Sequence, residues 1–298
     1  MENKELQRDF FLGDQWIYFK IYTGYKTSDD ILVNIIGPLA EQLLQNGIID
    51  KWFFIRYGDP KHHLRVRFRA TSPQGILTVI QSLHPHLNKL VEQKLIWKIQ
   101  TDTYKREIER YGSTTMVLSE DIFYHDSQMI VKFLHFEGGN EAEDTRWLFS
   151  LFAIDTLLDT FGYTDEGKNE LMLSLSDSFK REFNSNKHLV KQVSAKYRNK
   201  YKKIEEFMNV DANENTGILN LIKEKNNEVA KIAVQIKQID DAGNMKLHIN
   251  NFMTSHIHML MNRLFTSQNR LYEMICYDFL SRYYKSKLAK KKFQTSQG

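Results

Sequence analysis

Arg65, Arg67 and Arg69 alternate with Leu64, Val66 and Phe68 in the stretch "HLRVRFRA", just after a Gly-Asp-Pro turn. On a strand, alternate residues share a face about 7 Å apart, so the three guanidinium groups line one side while the apolar residues face a core. Guanidinium forks pair bidentately with carboxylate or phosphate and stay charged at every relevant pH. Alternation alone supports a solvated outer face and an anion-binding face equally.

Two further clusters carry usable chemistry. "YKREIERYG" sets Arg106 and Arg110 among Glu107 and Glu109 before Gly112, a pattern that surface ion pairing explains equally well. In "KLHINNFMTSHIHMLMNRLF", His248, Asn251, Ser255, His258 and Asn262 recur at intervals of 3, 4, 3 and 4, a polar stripe along one helical face. Met253, Ile257, Leu260 and Leu264 form an apolar stripe on the same helix. Imidazoles and neutral hydrogen-bonding groups in place of Lys and Glu point to a lined cavity, although a satisfied core histidine is the ordinary reading of His258. A shared metal ion is excluded for these histidines: His248 and His258 stand about 15 Å apart along the helix, and His256 and His258 point about 200° apart. "SEDIFYHDS" offers Ser119 as a helix N-cap, and its His125, Asp126 and Ser127 are consecutive, so they diverge and form no triad.

The elements that must position these groups fall into two halves. The first hundred or so residues mix strands with helices: an aromatic strand at "WIYFKIYTG", a helix from Ser28 to Gly47, and a hairpin of "KWFFIRY" and "HLRVRFRA" around Asp59-Pro60. A second helix follows that Pro85 should kink or shorten, and then extended chain as far as Gly112. Beyond "STTMVLSED" the periodicity is helical, with helices expected over 119–136, 143–162, 165–183, 187–208, 215–238, 246–265 and 269–288. The breaks at "EGGNEAED", "FNSN", "NVDANENTG" and "DDAGN" suit helix connections. The expected fold is α+β, an N-terminal antiparallel sheet with flanking helices followed by a largely helical C-terminal half, packed as one domain over 1–298 with frayed ends at 1–13 and 289–298.

Composition bounds the partners. Of 298 residues 42% are hydrophobic, and 41 basic against 37 acidic residues leave a charge of only +4, so no overall field favours direct nucleic-acid or membrane binding. No apolar run reaches the about 18 residues of a membrane span, and the start has no signal-peptide core, which predicts a cytoplasmic protein. The single cysteine, Cys276, lies on helical apolar spacing and reads as a buried structural thiol.

Taken together, "FFIRYGDPKHHLRVRF", "YKREIERYG", "SEDIFYHDS" and "HIHMLMNRLF", in this order, resemble the C-terminal elimination domain of class I lantibiotic dehydratases, a family with stand-alone, thiopeptide-type bacteriocin members. The resemblance runs from about Asp14 to Lys285. It implies a lyase that removes glutamate from glutamylated Ser or Thr of a ribosomally made precursor peptide, leaving dehydroalanine or dehydrobutyrine, without a cofactor or metal. It also implies a separate glutamylating dehydratase component that uses glutamyl-tRNA, and it leaves a homodimer open.

The family's "H-x-R-x-R" arginines fall on Arg65 and Arg67, the arginine of "E-R-Y-G" on Arg110, and the histidine five residues before the arginine of "N-R-L" on His258. The resemblance thus implies Arg67, Arg110 and His258 as catalytic residues, and Arg65, Asn262 and Arg263 as substrate contacts. Ser113 and Leu260 depart from the pattern, standing where the family often has a second Gly and a second His. Related enzymes that build the pyridine ring of thiopeptides tend to lack these arginines, so elimination is favoured over cycloaddition and over a non-catalytic precursor-binding scaffold.

Overall fold

A computed structural model of the chain describes residues 6–136, 142–182, 187–209 and 217–295. The expected breaks at "FNSN" and most of "EGGNEAED" and "NVDANENTG" lie outside the described residues. The chain divides into two compact units, one of residues 1–138 and 231–267, the other of residues 139–230 and 268–298.

The first unit is built on a four-stranded antiparallel sheet in the order β3-β4-β2-β5, with β2 at Trp16–Thr23, β3 at Ile49–Tyr57, β4 at His63–Ala70 and β5 at Ile96–Thr101. The hairpin register aligns Phe53, Arg67 and Tyr18 across three strands, and Ile55, Arg65 and Lys20 in the next row. Leu64, Val66 and Phe68 are fully buried on the opposite face, as the alternation requires. Helices α1 (Tyr25–Ile31), α2 (Gly37–Gln45) and α3 (Pro73–Glu92) also belong to this unit, with a π-helical turn at Leu32–Ile36 between the first two. Ser72 caps α3 by accepting from the Gly75 amide at 3.1 Å, with Pro73 opening the first turn. Pro85 does not shorten α3, which runs through it to Glu92 with Ile76, Val79, Leu83 and Leu87 buried on either side of the missing N–H.

Within the expected frayed end, residues 9 and 10 are ordered. Asp9–Phe10 forms β1, paired with β6 at Tyr104–Lys105, and Phe10 is fully buried with its ring stacked on Tyr104 at 5.7 Å. Nor does the chain stay extended to Gly112: Ile108–Tyr111 is one helical turn, α4, ended by Gly112 at φ +73°, a conformation that a side chain would strain. Helix α5 (Met116–Phe136) starts earlier than the sequence indicates, so Ser119 is no cap but lies inside the first turn, its hydroxyl donating to the Thr115 carbonyl at 3.0 Å. Helix α10 (Ile249–Leu264) is capped by His248, whose Nδ1 accepts from the Asn250 amide at 3.2 Å, and it buries the expected Met253, Ile257, Leu260 and Leu264.

The second unit is helical: α6 (Ala142–Thr160), α7 (Asp165–Glu182), α8 (Lys187–Met208), the first part of α9 (Gly217–Asp241) and α11 (Asn269–Thr295). Its interior includes a buried lysine, Lys168, paired with Asp155 at 2.5 Å and Asp159 at 2.7 Å, while the Tyr284 hydroxyl donates to Asp155 at 2.7 Å. Cys276 is fully buried beside Ser150, and burial pushes its thiol up to about 12, so it is inert at neutral pH. The residues from 289 onward were expected to be frayed; α11 continues to Thr295, held in part by Lys290 against Glu205.

Candidate anion-binding site

The three alternating arginines meet three different fates. Arg69 is closed by a bidentate pair with Asp50, Nε donating to Oδ1 at 2.6 Å and Nη2 to Oδ2 at 2.5 Å. Arg65 is half-buried, its Nε donating to His63 Nε2 at 3.1 Å and its guanidinium lying 3.5 Å over the Tyr57 ring. Arg67 is 7% exposed and enclosed by rings, its Cζ 4.2 Å from the centre of Tyr18, 4.8 Å from Tyr104 and 5.2 Å from Phe53. Its Nε and Nη1 are buried and meet no acceptor among the described residues. Burial lowers its pKa, opposed by Tyr18 and Tyr104, yet a guanidinium starts high enough to stay cationic. A buried cation with open donors is costly to leave unsatisfied.

The space in front of Arg67 is a cavity of about 40 Å³, room for a carboxylate-sized group. Phe53, Tyr104, Tyr111 and Phe123 form aromatic walls, and Lys105, Glu107 and Arg263 are the other charged groups beside Arg67 in a lining that Ile55, Met116 and Met259 complete. Arg263, from the last turn of α10, is fully buried; its Nε donates to the Phe54 carbonyl at 2.9 Å, and Nη1 stands 3.8 Å from Asp126, leaving Nη1 and Nη2 without a hydrogen-bond acceptor. Burial also lowers its pKa, and Arg67 adds to that effect, as two cations facing one space should. Tyr111 and Tyr104 are held as neutral phenols by burial, which raises both. Tyr104 is further fixed by donating to Glu120 at 2.8 Å.

The remaining expected residues are distributed around this core. His258 is half-buried on α10, one residue before the cavity-lining Met259. Arg110 is exposed on α4 and pairs with Glu107, Nε to Oε2 at 3.2 Å; Glu107 lines the cavity and Arg110 does not. Asn262 has both ends of its carboxamide on the backbone of β3: Oδ1 accepts from the Arg56 amide and Nδ2 donates to the Arg56 carbonyl, both at 2.9 Å. The polar stripe of α10 runs from exposed His248 and Asn251 to half-buried Ser255, His258 and Asn262. The buried histidine of the motif is His256, packed among Tyr111, Phe123 and Phe252 with Nε2 3.3 Å from the Ser119 hydroxyl.

Sequence reasoning missed the rings around Arg67. Tyr18 could have been found, because "WIYFKIYTG" alternates with the same period and places it directly opposite Arg67. Tyr104 could not: it arrives through the β1–β6 pairing of two-residue strands. Arg106 of the second cluster turned out to be structural, its Nε and Nη2 donating to Glu120 at 2.7 Å each in a wholly buried pair. Among the described residues no three His, Cys, Asp or Glu side chains gather as a metal site would require, and no helix is long and apolar enough to cross a membrane.

Two buried arginines, Arg67 of an antiparallel sheet and Arg263 of the helix packed on it, thus line one small aromatic cavity in an α+β unit. The chain belongs to the lantibiotic biosynthesis dehydratase C-terminal family, whose model matches residues 16–284. It is 24% identical over 266 residues to the subtilin biosynthesis protein SpaB of Bacillus subtilis, covering 87% of this chain and 24% of SpaB. It is 28% identical over 122 residues to the nisin biosynthesis protein NisB of Lactococcus lactis subsp. lactis, covering 41% of this chain and 12% of NisB. The chain therefore spans about a quarter or less of the length of these curated relatives. In fold it is similar to the tRNA-dependent lantibiotic dehydratase MibB from Microbispora sp. 107891, with a TM-score of 0.72 at 19% identity over 95% of this chain and 29% of MibB. It is also similar to TbtD, the pyridine synthase of thiomuracin biosynthesis, with a TM-score of 0.61 at 12% identity over 91% of this chain and 99% of TbtD.

Proposed function

We propose that this chain eliminates glutamate from glutamylated Ser or Thr residues of a precursor peptide, giving dehydroalanine or dehydrobutyrine. The observation that carries the reading is Arg67: a buried guanidinium, open on Nε and Nη1, beside a cavity shared with Arg263.

The chemistry explains why such a site is needed. Unmodified serine would have to expel hydroxide, a poor leaving group, whereas a glutamyl ester expels a carboxylate whose acid has a pKa of about 4. Elimination breaks the Cα–H bond and the Cβ–O bond and forms the Cα=Cβ double bond, the Cβ–O electron pair leaving on glutamate. Negative charge grows on the adjacent amide oxygen and then on the departing carboxylate. Arg67 and Arg263 supply fixed positive charge in a water-poor site, where it counts most. Arg65 provides an outer contact, and Arg110 a cation at the rim that exchanges Glu107 for substrate. His258 carries the proton, as the imidazole of the set and the side chain suited to general acid–base work. Asn262 serves by fixing β3 against α10. A glutamylating activity that draws on glutamyl-tRNA must supply the ester, which places the reaction in the cytoplasm.

The test is incubation of a synthetic glutamylated peptide with the protein alone, followed by mass spectrometry. Loss of one glutamic acid supports elimination. Expulsion of a leader segment from a peptide already holding two dehydroalanines points instead to ring formation, and an unchanged peptide to a scaffold.

A further inference from the structure

Arg65 has no carboxylate within ion-pair distance among the described residues, unlike Arg69 on the same strand, yet it is held by three constraints. Its backbone is fixed opposite Lys20 and Ile55, its plane lies 3.5 Å over Tyr57, and its Nε–H is taken by His63 Nε2 at 3.1 Å. His63 is 1% exposed, stacked on Tyr22 with ring centres 4.5 Å apart.

Its protonation state follows from its partners. Nδ1 lies 2.8 Å from the Lys61 carbonyl, which can only accept, so Nδ1 bears the hydrogen. Nε2 faces an arginine N–H, which can only donate, so Nε2 is bare. We propose that His63 is a positioning residue for Arg65: as the neutral Nδ1–H imidazole it takes the guanidinium Nε–H and leaves the two Nη groups to meet a substrate carboxylate end-on. This rests on the elimination reading and names the free carboxylate of the glutamyl group as what Arg65 receives. The groups around the ring agree with a neutral state. Lys20 and Tyr22 lie on β2, Tyr57 on β3, His62 precedes His63 and Arg65 follows two residues on, and Lys98 of β5 sits 5.3 Å over the Tyr22 ring. Burial first, then Arg65, Lys20 and His62, push the imidazole below its ordinary pKa, against the bond to Lys61. Protonation of Nε2 would turn the acceptor into a donor and a like charge beside Arg65, releasing it.

The experiment compares His63→Asn and His63→Gln in the full chain. Asparagine keeps a bond to the Lys61 carbonyl but offers Arg65 nothing; glutamine places an amide oxygen near the former Nε2. With glutamylated peptide, H63N is expected to raise KM about tenfold with kcat within about twofold, R65A to do the same, H63N to add nothing in an R65A background, and H63Q to restore KM. In wild type KM should climb as pH falls through the lowered native pKa of His63, beneath the ordinary imidazole range, a rise absent from R65A. Additive effects of H63N and R65A, or an H63N indistinguishable from wild type, would overturn the proposal. An independent readout separates it from the reaction itself. In 15N NMR spectra the Arg65 Nε–H should exchange slowly in wild type and H63Q and quickly in H63N; equal exchange in all three overturns the positioning role even if elimination stands. If the wild-type chain converts no glutamylated peptide, the proposed reaction fails, and slow Nε–H exchange still upholds the His63–Arg65 unit.

Discussion

Arg67 lies opposite Tyr18 across the β2–β4 ladder, its Cζ 4.2 Å from the ring centre, and neither its Nε and Nη1 nor the Tyr18 hydroxyl meets a hydrogen-bond partner among the described residues. Three buried polar atoms left open at one point of a sheet are an energetic defect in a protein that only has to fold. The ring faces recover part of the cost, since a cation over an aromatic face gains about 1 to 2 kcal/mol when desolvated. The rest is available to a bound anion.

Stability should therefore move opposite to activity at this position. Arg67→Leu fills the aromatic slot with apolar volume and removes an uncompensated buried charge, so the protein is expected to gain about 1 to 2 kcal/mol while losing elimination. Urea midpoints of the two proteins check this. A variant destabilised by several kcal/mol would show that Arg67 has a structural partner.

Asn262 is expected to act on stability through β3. Asn262→Ala leaves the Arg56 amide and carbonyl without their side-chain partners and should cost about 2 kcal/mol, with Asn262→Asp, which keeps only the acceptor, in between. Chemical denaturation orders the three proteins; an alanine variant as stable as wild type refutes the bridging role.

The pair of Arg106 and Glu120 should be the most sensitive position beside the cavity. Glu120→Ala strands a guanidinium that is 4% exposed and removes the acceptor of Tyr104, for a loss of about 3 to 5 kcal/mol. Thermal unfolding measures it, and a Tm within a few degrees of wild type would contradict the assignment.

Acid should weaken the hairpin. His62 and His63 both have folded pKa values pushed below the ordinary imidazole value by burial, so the unfolded chain binds protons more readily than the native one. Their contribution to stability is complete above about pH 6.5 and is lost as pH falls through that value toward the lower native ones. The expected result is a Tm that declines from pH 7 to 5 by less in His62→Phe/His63→Phe than in wild type.

Much of this was legible in the sequence because it follows from periodicity. The alternation in "HLRVRFRA" placed Leu64, Val66 and Phe68 in the core, and the spacing of Met253, Ile257, Leu260 and Leu264 gave the buried face of α10. What periodicity could not show was how the three arginines differ, since that depends on partners distant in the chain. Asp50 closes Arg69 through hairpin register, while Tyr104 reaches Arg67 through a pairing of two-residue strands too short to carry a pattern. The turn at Ile108–Tyr111 was read as extended because four residues hold barely one helical repeat. Order at Phe10 and Lys290, within segments expected to fray, has a related reason: it comes from contacts with Tyr104 and Glu205, not from local composition.

The central claim is that the cavity before Arg67 eliminates glutamate, and its most direct test is the initial rate at which a synthetic glutamylated peptide loses glutamic acid with wild-type protein and with Arg67→Ala. The account predicts steady conversion to the dehydro product by the wild type and a rate lower by about 100-fold or more in the variant, with intact glutamylated peptide accumulating. Equal rates for the two proteins would contradict it.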